Sequence, residues 1–228
     1  MKKQNSVKNY IALKKFCHAQ GIDLFGVADI AEIKKDFMLS QEILAKVDKA
    51  ISLGTRLSRG VLDEIKDAPT RLYFHHYRTL NMFLDQAARI ICQKIEKKGF
   101  LAIPIPASQI VDWQNQKGHL SHRHVAVLAG LGWIGRSNLL VNEEIGSQFR
   151  LATILTDMPL KTDKFLQKNC DTCQICVKMC PAQAIKESPK DFDYAKCLDK
   201  LKDFQKQRLV DQYICGVCVS ACKGLKKG

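Results

Sequence analysis

CDTCQICVKMCP, residues 170–181, is the most informative stretch of this sequence. Its four cysteines are separated by two, two and three residues, and a proline follows the fourth. This spacing is typical of proteins with two 4Fe–4S clusters, in which three thiolates of the run hold one cluster and the fourth reaches its neighbour. We therefore predict that Cys170, Cys173 and Cys176 bind one cluster and that Cys180 binds another.

A second group of cysteines completes both predicted sites. Cys215, Cys218 and Cys222 are separated by two and three residues, and Cys197 precedes them by a segment of 17 residues that reads as a polar helix over 198–204. Eight thiolates divide evenly between two clusters. The predicted ligands of the first cluster are Cys170, Cys173, Cys176 and Cys222. Those of the second are Cys180, Cys197, Cys215 and Cys218.

Structural zinc is the alternative reading of these cysteines, because paired C-x2-C units also form tetrahedral zinc sites. Such sites rarely use three cysteines at successive three-residue steps followed by Cys-Pro. The pattern therefore favours iron and sulfide. Crowded cysteines in an intracellular protein indicate metal or redox chemistry, since cytosolic thiols are kept reduced and rarely form structural disulfides.

The uneven distribution of cysteines also predicts where the chain divides. Only Cys17 and Cys92 lie before residue 170, among apolar residues at helical spacing, and we interpret them as buried small hydrophobes. We expect a boundary near residue 165, with one domain over 1–165 and a smaller cluster domain over 166–228.

Composition indicates a globular protein of 228 residues, with 46% hydrophobic and 26% charged residues. The longest apolar run, 125–134, is too short to span a bilayer, and no export signal is visible, so we expect a cytoplasmic protein without a membrane partner. The net charge of +13 favours anionic partners, although lysines on solvated helix faces explain much of it.

Hydrophobic patterning of the first 165 residues predicts helices that alternate with short strands. The predicted helices cover 10–17 and 70–98, and the predicted strands cover 24–28, 50–54, 100–106 and 151–155. This order indicates an α+β (α/β layered) fold.

A G-x-G-x-x-G sequence occupies residues 130–135 and suggests a dinucleotide site. Three features disfavour that site: the motif lies past the middle of the chain, Trp133 occupies the turn, and residues 136–142 are a poor start for a helix. We favour a tight glycine loop that brings the backbone close to some flat or anionic cofactor.

The stretch 121–140, followed by Gly146 and Thr156-Asp157, resembles epoxyqueuosine reductase and, more distantly, the corrinoid reductive dehalogenases. The opening 21–28 and the cysteine order agree, so the resemblance covers nearly the whole chain. It implies a nitroreductase-like domain that holds a base-off cobalamin, followed by a ferredoxin-like double-cluster domain. Electrons would pass from the clusters to cobalt, for attack on an epoxide or a halide while a protein acid supplies a proton.

The resemblance also implies which residues face the corrin. Leu131 and Trp133 would form an apolar wall, and no Asp-x-His-x-x-Gly motif is present to supply a histidine lower ligand. The full set of implied cofactor-binding residues is Gly130, Leu131, Gly132, Trp133, Gly135, Arg136, Ser137 and Asn138.

Two departures from the family pattern bear on the substrate. The segment 102–108 lacks the aspartate that serves the family as proton donor, and the chain ends six residues after Cys222, without the helical repeats associated with tRNA. We therefore expect tRNA to be a disfavoured partner. The candidate proton donors are Tyr73, Asp112 and His122, with four further histidines nearby: His75, His76, His119 and His124.

The leading hypothesis is a cobalamin-dependent iron–sulfur reductase with an unassigned substrate. It requires a low-potential electron donor such as a ferredoxin or a flavodoxin. One alternative is a non-catalytic electron carrier that reduces a small-molecule or protein-bound corrinoid. The other is reduction of epoxyqueuosine in tRNA.

Overall fold

The computed structural model describes residues 2–225 and contains eight α-helices, six strands and two short 3-10 helices in that range. The helices are α1 (Lys2–Ala19), α2 (Gln41–Lys46), α3 (Arg59–Asp63), α4 (Arg71–Glu96), α5 (His122–Leu128), α6 (Ile175–Met179), α7 (Tyr194–Lys206) and α8 (Val217–Ala221). The strands are β1 (Leu24–Asp29), β2 (Lys49–Arg56), β3 (Ala102–Ile105), β4 (Trp133–Ile134), β5 (Leu140–Val141) and β6 (Phe149–Thr156). The 3-10 helices are Lys34–Asp36 and Pro189–Asp191.

These elements form two compact units, each built from separate segments of the chain. Unit 1 contains 1–55, 81–131 and 150–166, and unit 2 contains 56–80, 132–149 and 167–228. The cysteine-rich tail is thus grouped with two earlier segments. The functional division at residue 165 stays a prediction, because these groupings do not say which residues hold a cofactor.

Unit 1 is organised around a four-stranded sheet with the order β1-β2-β6-β3. Strand β1 is antiparallel to β2, and β3 is antiparallel to β6. The core contains fully buried side chains from the sheet, such as Ile51 and Ile154, and from α4, such as Leu84 and Ile91. A mixed α/β fold and all six patterned helices and strands of 1–165 are therefore confirmed.

The two isolated cysteines are buried in this core, with exposures of 0% for Cys17 and 4% for Cys92. Burial raises the pKa of each thiol to about 12, so both stay protonated. Their prediction as small buried hydrophobes is confirmed.

Unit 2 has its own core, formed by the start of α4 and by the chain between Cys197 and Cys218. Tyr73, Phe204, Val210 and Val217 belong to this cluster. The polar helix predicted over 198–204 is part of α7, whose Phe204 anchors it in the core. No helix in 2–225 is long and apolar enough to cross a membrane.

Gly26 fixes how closely α5 can lie against β1 within unit 1. A Cβ atom at this position would collide with the carbonyl oxygen of Ala129 and lie 3.0 Å from Leu131 Cδ2. Since the obstacle includes backbone, it cannot be relieved by a side-chain rotation. Glycine is therefore required here by packing.

We expect Gly26→Ala to lower the free energy of unfolding by about 1–3 kcal/mol, the usual cost of overpacking a core. The matched control is Gly60→Ala, because nothing lies within 4 Å of a Cβ atom at that position of α3. That change is expected to be neutral or stabilising by up to about 1 kcal/mol. Denaturant titration of both variants measures the difference, and equal effects would contradict the packing account.

Candidate metal centre

The eight cysteines of the tail fall into two electrostatic groups within unit 2. Burial is the main cause that raises the pKa of Cys176 to about 11, and the thiols of Cys222, Cys170 and Cys173 raise it further. Burial likewise raises the pKa of Cys218 well above its ordinary value, followed by the thiols of Cys215, Cys197, Cys176 and Cys180. The members of these groups coincide with the two predicted ligand sets, whose binding of metal stays a prediction, and the thiols of Cys176 and Cys218 influence each other across the two groups.

Three short elements position these thiols. Helix α6 carries Cys176 and ends at Cys180. Helix α7 carries Cys197, and α8 carries Cys218 and ends at Cys222. Helices α6 and α8 pack against each other, so cysteines more than forty residues apart in sequence are brought together.

Several N–H groups point at the cysteine sulfurs. Trp133 Nε1 donates to Cys170 Sγ at 3.5 Å. The backbone N–H groups of Gly224 and Ser147 favour the thiolate of Cys222, although burial leaves its pKa raised overall. The Val217 N–H does the same at Cys215, whose pKa burial raises to about 11. Donors of this kind stabilise metal-bound thiolates, so the surroundings fit iron–sulfur ligands.

The Ser147 hydroxyl is buried beside this group. It makes no hydrogen bond of ordinary geometry among the described residues, yet it is one of the polar groups that lower the pKa of Cys222. The hydroxyl is therefore a polar neighbour of the Cys222 sulfur without a hydrogen bond to it. Sequence patterns alone did not identify Ser147, although it directly follows Gly146 of the family resemblance.

Two glycines allow the chain before Ser147 to approach the last cysteine. Gly146 has φ +60°, and a Cβ atom there would collide with the carbonyl oxygen of Cys222. Gly224 has φ +87°, and its Cβ atom would lie 2.5 Å from the carbonyl oxygen of Glu143. Both positions require glycine for conformation and for space.

The glycine loop over 130–135 does not lead into a helix. It runs into an antiparallel hairpin in which Trp133 pairs with Val141. A dinucleotide fingerprint requires a helix after the last glycine, so the preference against that site is confirmed.

The part of this loop from Gly132 onward packs against other segments of unit 2, including the side chain of Cys170. A Cβ atom on Gly132 would collide with the carbonyl oxygen of Val141. One on Gly135 would lie 2.5 Å from Val141 Cγ2 and 3.3 Å from Cys170 Sγ. Arg136 Nη2 donates to the carbonyl oxygen of Asp171 at 2.7 Å. The loop thus holds the turn at Cys170 in place through packing and a hydrogen bond, a role that the sequence did not indicate.

The remaining residues of the implied corrin-binding set are mostly buried. Leu131 and Trp133 are 7% and 3% exposed, Ser137 is buried, and Asn138 adopts a left-handed conformation with φ 58°. In unit 1, a Cβ atom on Gly130 would lie 2.5 Å from the carbonyl oxygen of Lys164. These positions do not test corrin binding, which stays a prediction.

Among residues 2–225, no three His, Cys, Asp or Glu side chains lie close enough together to hold one metal ion. Thiolates that share one zinc ion lie about 4 Å apart, because each Zn–S bond is only ~2.3 Å long.

His122, a candidate proton donor, is held at both ring nitrogens. In unit 1, Nε2 donates to the Pro106 carbonyl oxygen at 2.9 Å, and Nδ1 accepts from the Thr153 hydroxyl at 2.8 Å. Burial is the main cause that lowers its pKa to about 4, so the ring is neutral at neutral pH. Proton transfer by His122 would require breaking one of these bonds.

The other two candidates occupy different settings. Asp112 is a loop residue of unit 1 whose carboxylate accepts from the Asn115 side chain and backbone at 2.7 and 2.9 Å, which lowers its pKa. Tyr73 is buried in unit 2, where a Cβ atom on Gly216 would lie 2.6 Å from its ring. Gly216 follows Cys215, so Tyr73 lies beside the second thiol group. Proton donation by any of the three stays a prediction.

The buried neutral His122 predicts a pH dependence of stability. Its folded-state pKa is about 4 against an ordinary value of 6.5, so the unfolded chain takes up a proton first as the pH falls. The free energy of unfolding should therefore decrease between pH 6.5 and pH 4, by at most about 3 kcal/mol from this residue.

Comparing the pH dependence of unfolding in wild type and His122→Gln isolates the contribution of His122, because all other titrating residues are the same in both proteins. The variant is expected to be less stable at pH 7 and to lose less stability on acidification. His75→Gln is the control, since His75 is an exposed residue of α4 outside unit 1, and its replacement should leave the contribution of His122 unchanged. Parallel pH profiles for wild type and His122→Gln would contradict a neutral buried ring.

Comparison with known proteins relates the chain to two reductase families. It is 32% identical over 103 residues to an epoxyqueuosine reductase of Leadbetterella byssophila, a match that covers 41% of this chain and 33% of the relative. It is 30% identical over 145 residues to the tetrachloroethene reductive dehalogenase of Sulfurospirillum multivorans, covering 58% of this chain and 27% of the relative. The chain therefore spans about a third of the length of these relatives. No protein-family model matches it.

A solved structure of similar fold is a catabolic reductive dehalogenase in complex with 3-bromo-4-hydroxybenzoic acid. It matches with a TM-score of 0.76 at 20% identity, over 95% of this chain and 32% of the dehalogenase. The chain is thus related to epoxyqueuosine reductases and reductive dehalogenases, as the resemblance implies.

Proposed function

We propose that this chain is a cobalamin-dependent iron–sulfur reductase. Two 4Fe–4S clusters pass low-potential electrons to a base-off corrinoid for reductive chemistry on a substrate that stays unassigned. The observation that carries the proposal is that eight half-buried thiols influence one another's pKa in two sets of four, and that N–H groups favour a thiolate in each set.

The relation to two families of reductases supports the same function. When bound, the corrinoid supplies a nucleophilic, strongly reducing metal centre. The residues of this chain would bind and orient that group through the loop 130–138, with Leu131 and Trp133 as its apolar wall. Tyr73, Asp112 and His122 are the proposed sources of the proton.

Two alternatives remain as outcomes of experiment. A non-catalytic electron carrier that reduces a small-molecule or protein-bound corrinoid needs only the cluster part. Reduction of epoxyqueuosine in tRNA is favoured by the net charge of +13 and disfavoured by the lack of an aspartate in 102–108. Binding to tRNA through phosphate contacts would weaken steeply with salt, whereas salt-independent or absent binding would remove this alternative.

We expect Cys173→Ser to lower the iron content of anaerobically reconstituted protein towards half, because only the first cluster loses a ligand. Iron and zinc are counted per chain by mass spectrometry. Cys92→Ala is the matched control, since that buried thiol lies in unit 1 and should leave the iron content unchanged. Undiminished iron in Cys173→Ser, or zinc in the wild type, would contradict the ligand assignment.

Addition of cobalamin to the iron-loaded protein is expected to produce the absorption of base-off corrin, with about one cobalt retained per chain after desalting. Free cobalamin and the Cys173→Ser protein serve as references. Iron-loaded wild type that leaves the corrin spectrum unchanged would leave only the electron-carrier alternative.

We expect Trp133→Phe to lower the midpoint potential of one cluster. The indole N–H donates to Cys170 Sγ, and such a bond stabilises the more negative, reduced state. A differential of about 1 kcal/mol corresponds to a shift of roughly 40 mV for one electron. Redox titration followed by electron paramagnetic resonance measures this shift.

Trp113→Phe is the matched control, because Trp113 is 67% exposed and lies in unit 1. It should leave both potentials unchanged. Equal potentials in wild type and in an iron-replete Trp133→Phe protein would rule out a hydrogen bond that tunes the cluster.

A further inference from the structure

One face of helix α6 is exposed to solvent and combines two apolar side chains with one basic side chain. We name it the α6 face and define it as Ile175, Lys178 and Met179. Ile175 is 53% exposed and Met179 is 46% exposed, and Lys178 is also exposed. Positions separated by three and four residues share one side of a helix. Another side of α6 packs against α8, and no residue of α6 is buried.

The residues of the α6 face lie next in sequence to one proposed ligand of each cluster. Cys176 lies within the helix and belongs to the first thiol group, whereas Cys180 ends the helix and belongs to the second. Single exposed hydrophobic residues are normal on protein surfaces. Here, however, two exposed hydrophobic residues lie on the same helix as a proposed ligand of each cluster. A carrier bound at this surface would therefore be close to both proposed clusters.

Charge indicates the kind of molecule that fits this face. Lys178 forms no ion pair with any residue in 2–225, so its ammonium group is available to a partner. The chain has a formal charge of +13, and two oxidised clusters of about two negative charges each would still leave it strongly positive. An acidic partner is therefore attracted to the molecule as a whole and to this face.

We propose that the α6 face is the docking site of an acidic, low-potential, one-electron carrier protein. This inference rests on the proposed function, since it assumes that the thiols hold iron–sulfur clusters. A face of three side chains suits a transient encounter, because electron-transfer complexes bury small interfaces. With a reduced flavodoxin, the anionic flavin hydroquinone loses one electron to become the neutral semiquinone, one cluster gains that electron, and no proton moves.

The test compares two reductants on the iron-loaded protein by stopped-flow absorbance. Flavodoxin hydroquinone must dock, whereas dithionite is small and needs no docking site. We expect Lys178→Glu to slow reduction by flavodoxin about tenfold at low ionic strength, and the double variant Ile175→Ser/Met179→Ser to slow it several-fold. Reduction by dithionite should change by less than about twofold in both. Added salt should slow the reaction of the wild type with flavodoxin.

Matched controls keep the outcome specific. Lys206→Glu makes the same change of net charge on α7, and Leu72→Ser removes a side chain that is also 53% exposed in unit 2. Both should react with flavodoxin at about the wild-type rate. Equal slowing by the controls, unchanged rates in the α6 variants, or a wild type that dithionite reduces but flavodoxin does not would each overturn the docking site.

Two further results separate this inference from the proposed function. Wild-type protein that contains no iron after anaerobic reconstitution defeats the proposed function itself. Iron-replete protein with normal dithionite kinetics and no effect of the α6 variants defeats the docking site alone. A wild-type dimer that Ile175→Ser/Met179→Ser converts to monomers would assign the face to a second copy of the chain and also overturn the proposal.

Discussion

The rest of unit 2 depends on one constraint, which is that the eight cysteine thiols of the tail lie close to one another at half-buried positions. Burial and neighbouring sulfurs raise the pKa of Cys176 and Cys218, so the free thiols would keep their protons. A bound metal cluster displaces those protons and supplies the charge that holds four thiolates near one another. Binding of a cluster would therefore be coupled to the ordered state of this unit, and the N–H donors at Cys170, Cys215 and Cys222 favour the deprotonated form.

The glycine positions follow from the same constraint. Gly135 brings the hairpin loop against Cys170, and Gly146 brings the 142–146 turn against Cys222. In both places a Cβ atom would displace the segment that carries the ligand. Trp133 and Arg136 then fix the first segment through hydrogen bonds to Cys170 and Asp171. A motif that resembles a nucleotide-binding loop in sequence thus serves, in this fold, to support a thiol group.

Local patterns predicted the secondary structure well, because strong hydrophobic periodicity dictates elements such as α4 and β6. The cysteine spacing likewise predicts two ligand sets, because the three-residue steps of 170–180 restrict which sulfurs can share a cluster, and this assignment stays a prediction. The hairpin β4–β5, the discontinuous units and the donors at Cys222 could not be predicted. They depend on contacts between segments far apart in sequence, such as Ser147 with Cys222, for which one sequence carries no signal. The buried, doubly bonded state of His122 also depends on distant partners, Pro106 and Thr153.

The central claim is that the tail holds two neighbouring four-iron clusters in the ligand sets described. Electron paramagnetic resonance of the fully reduced, anaerobically prepared protein tests it most directly. Two reduced clusters, one in each ligand set, should give about two unpaired spins per chain, in a spectrum broadened by magnetic interaction between them. A single uncoupled spin per chain, or a silent spectrum from a protein that contains zinc, would contradict the account.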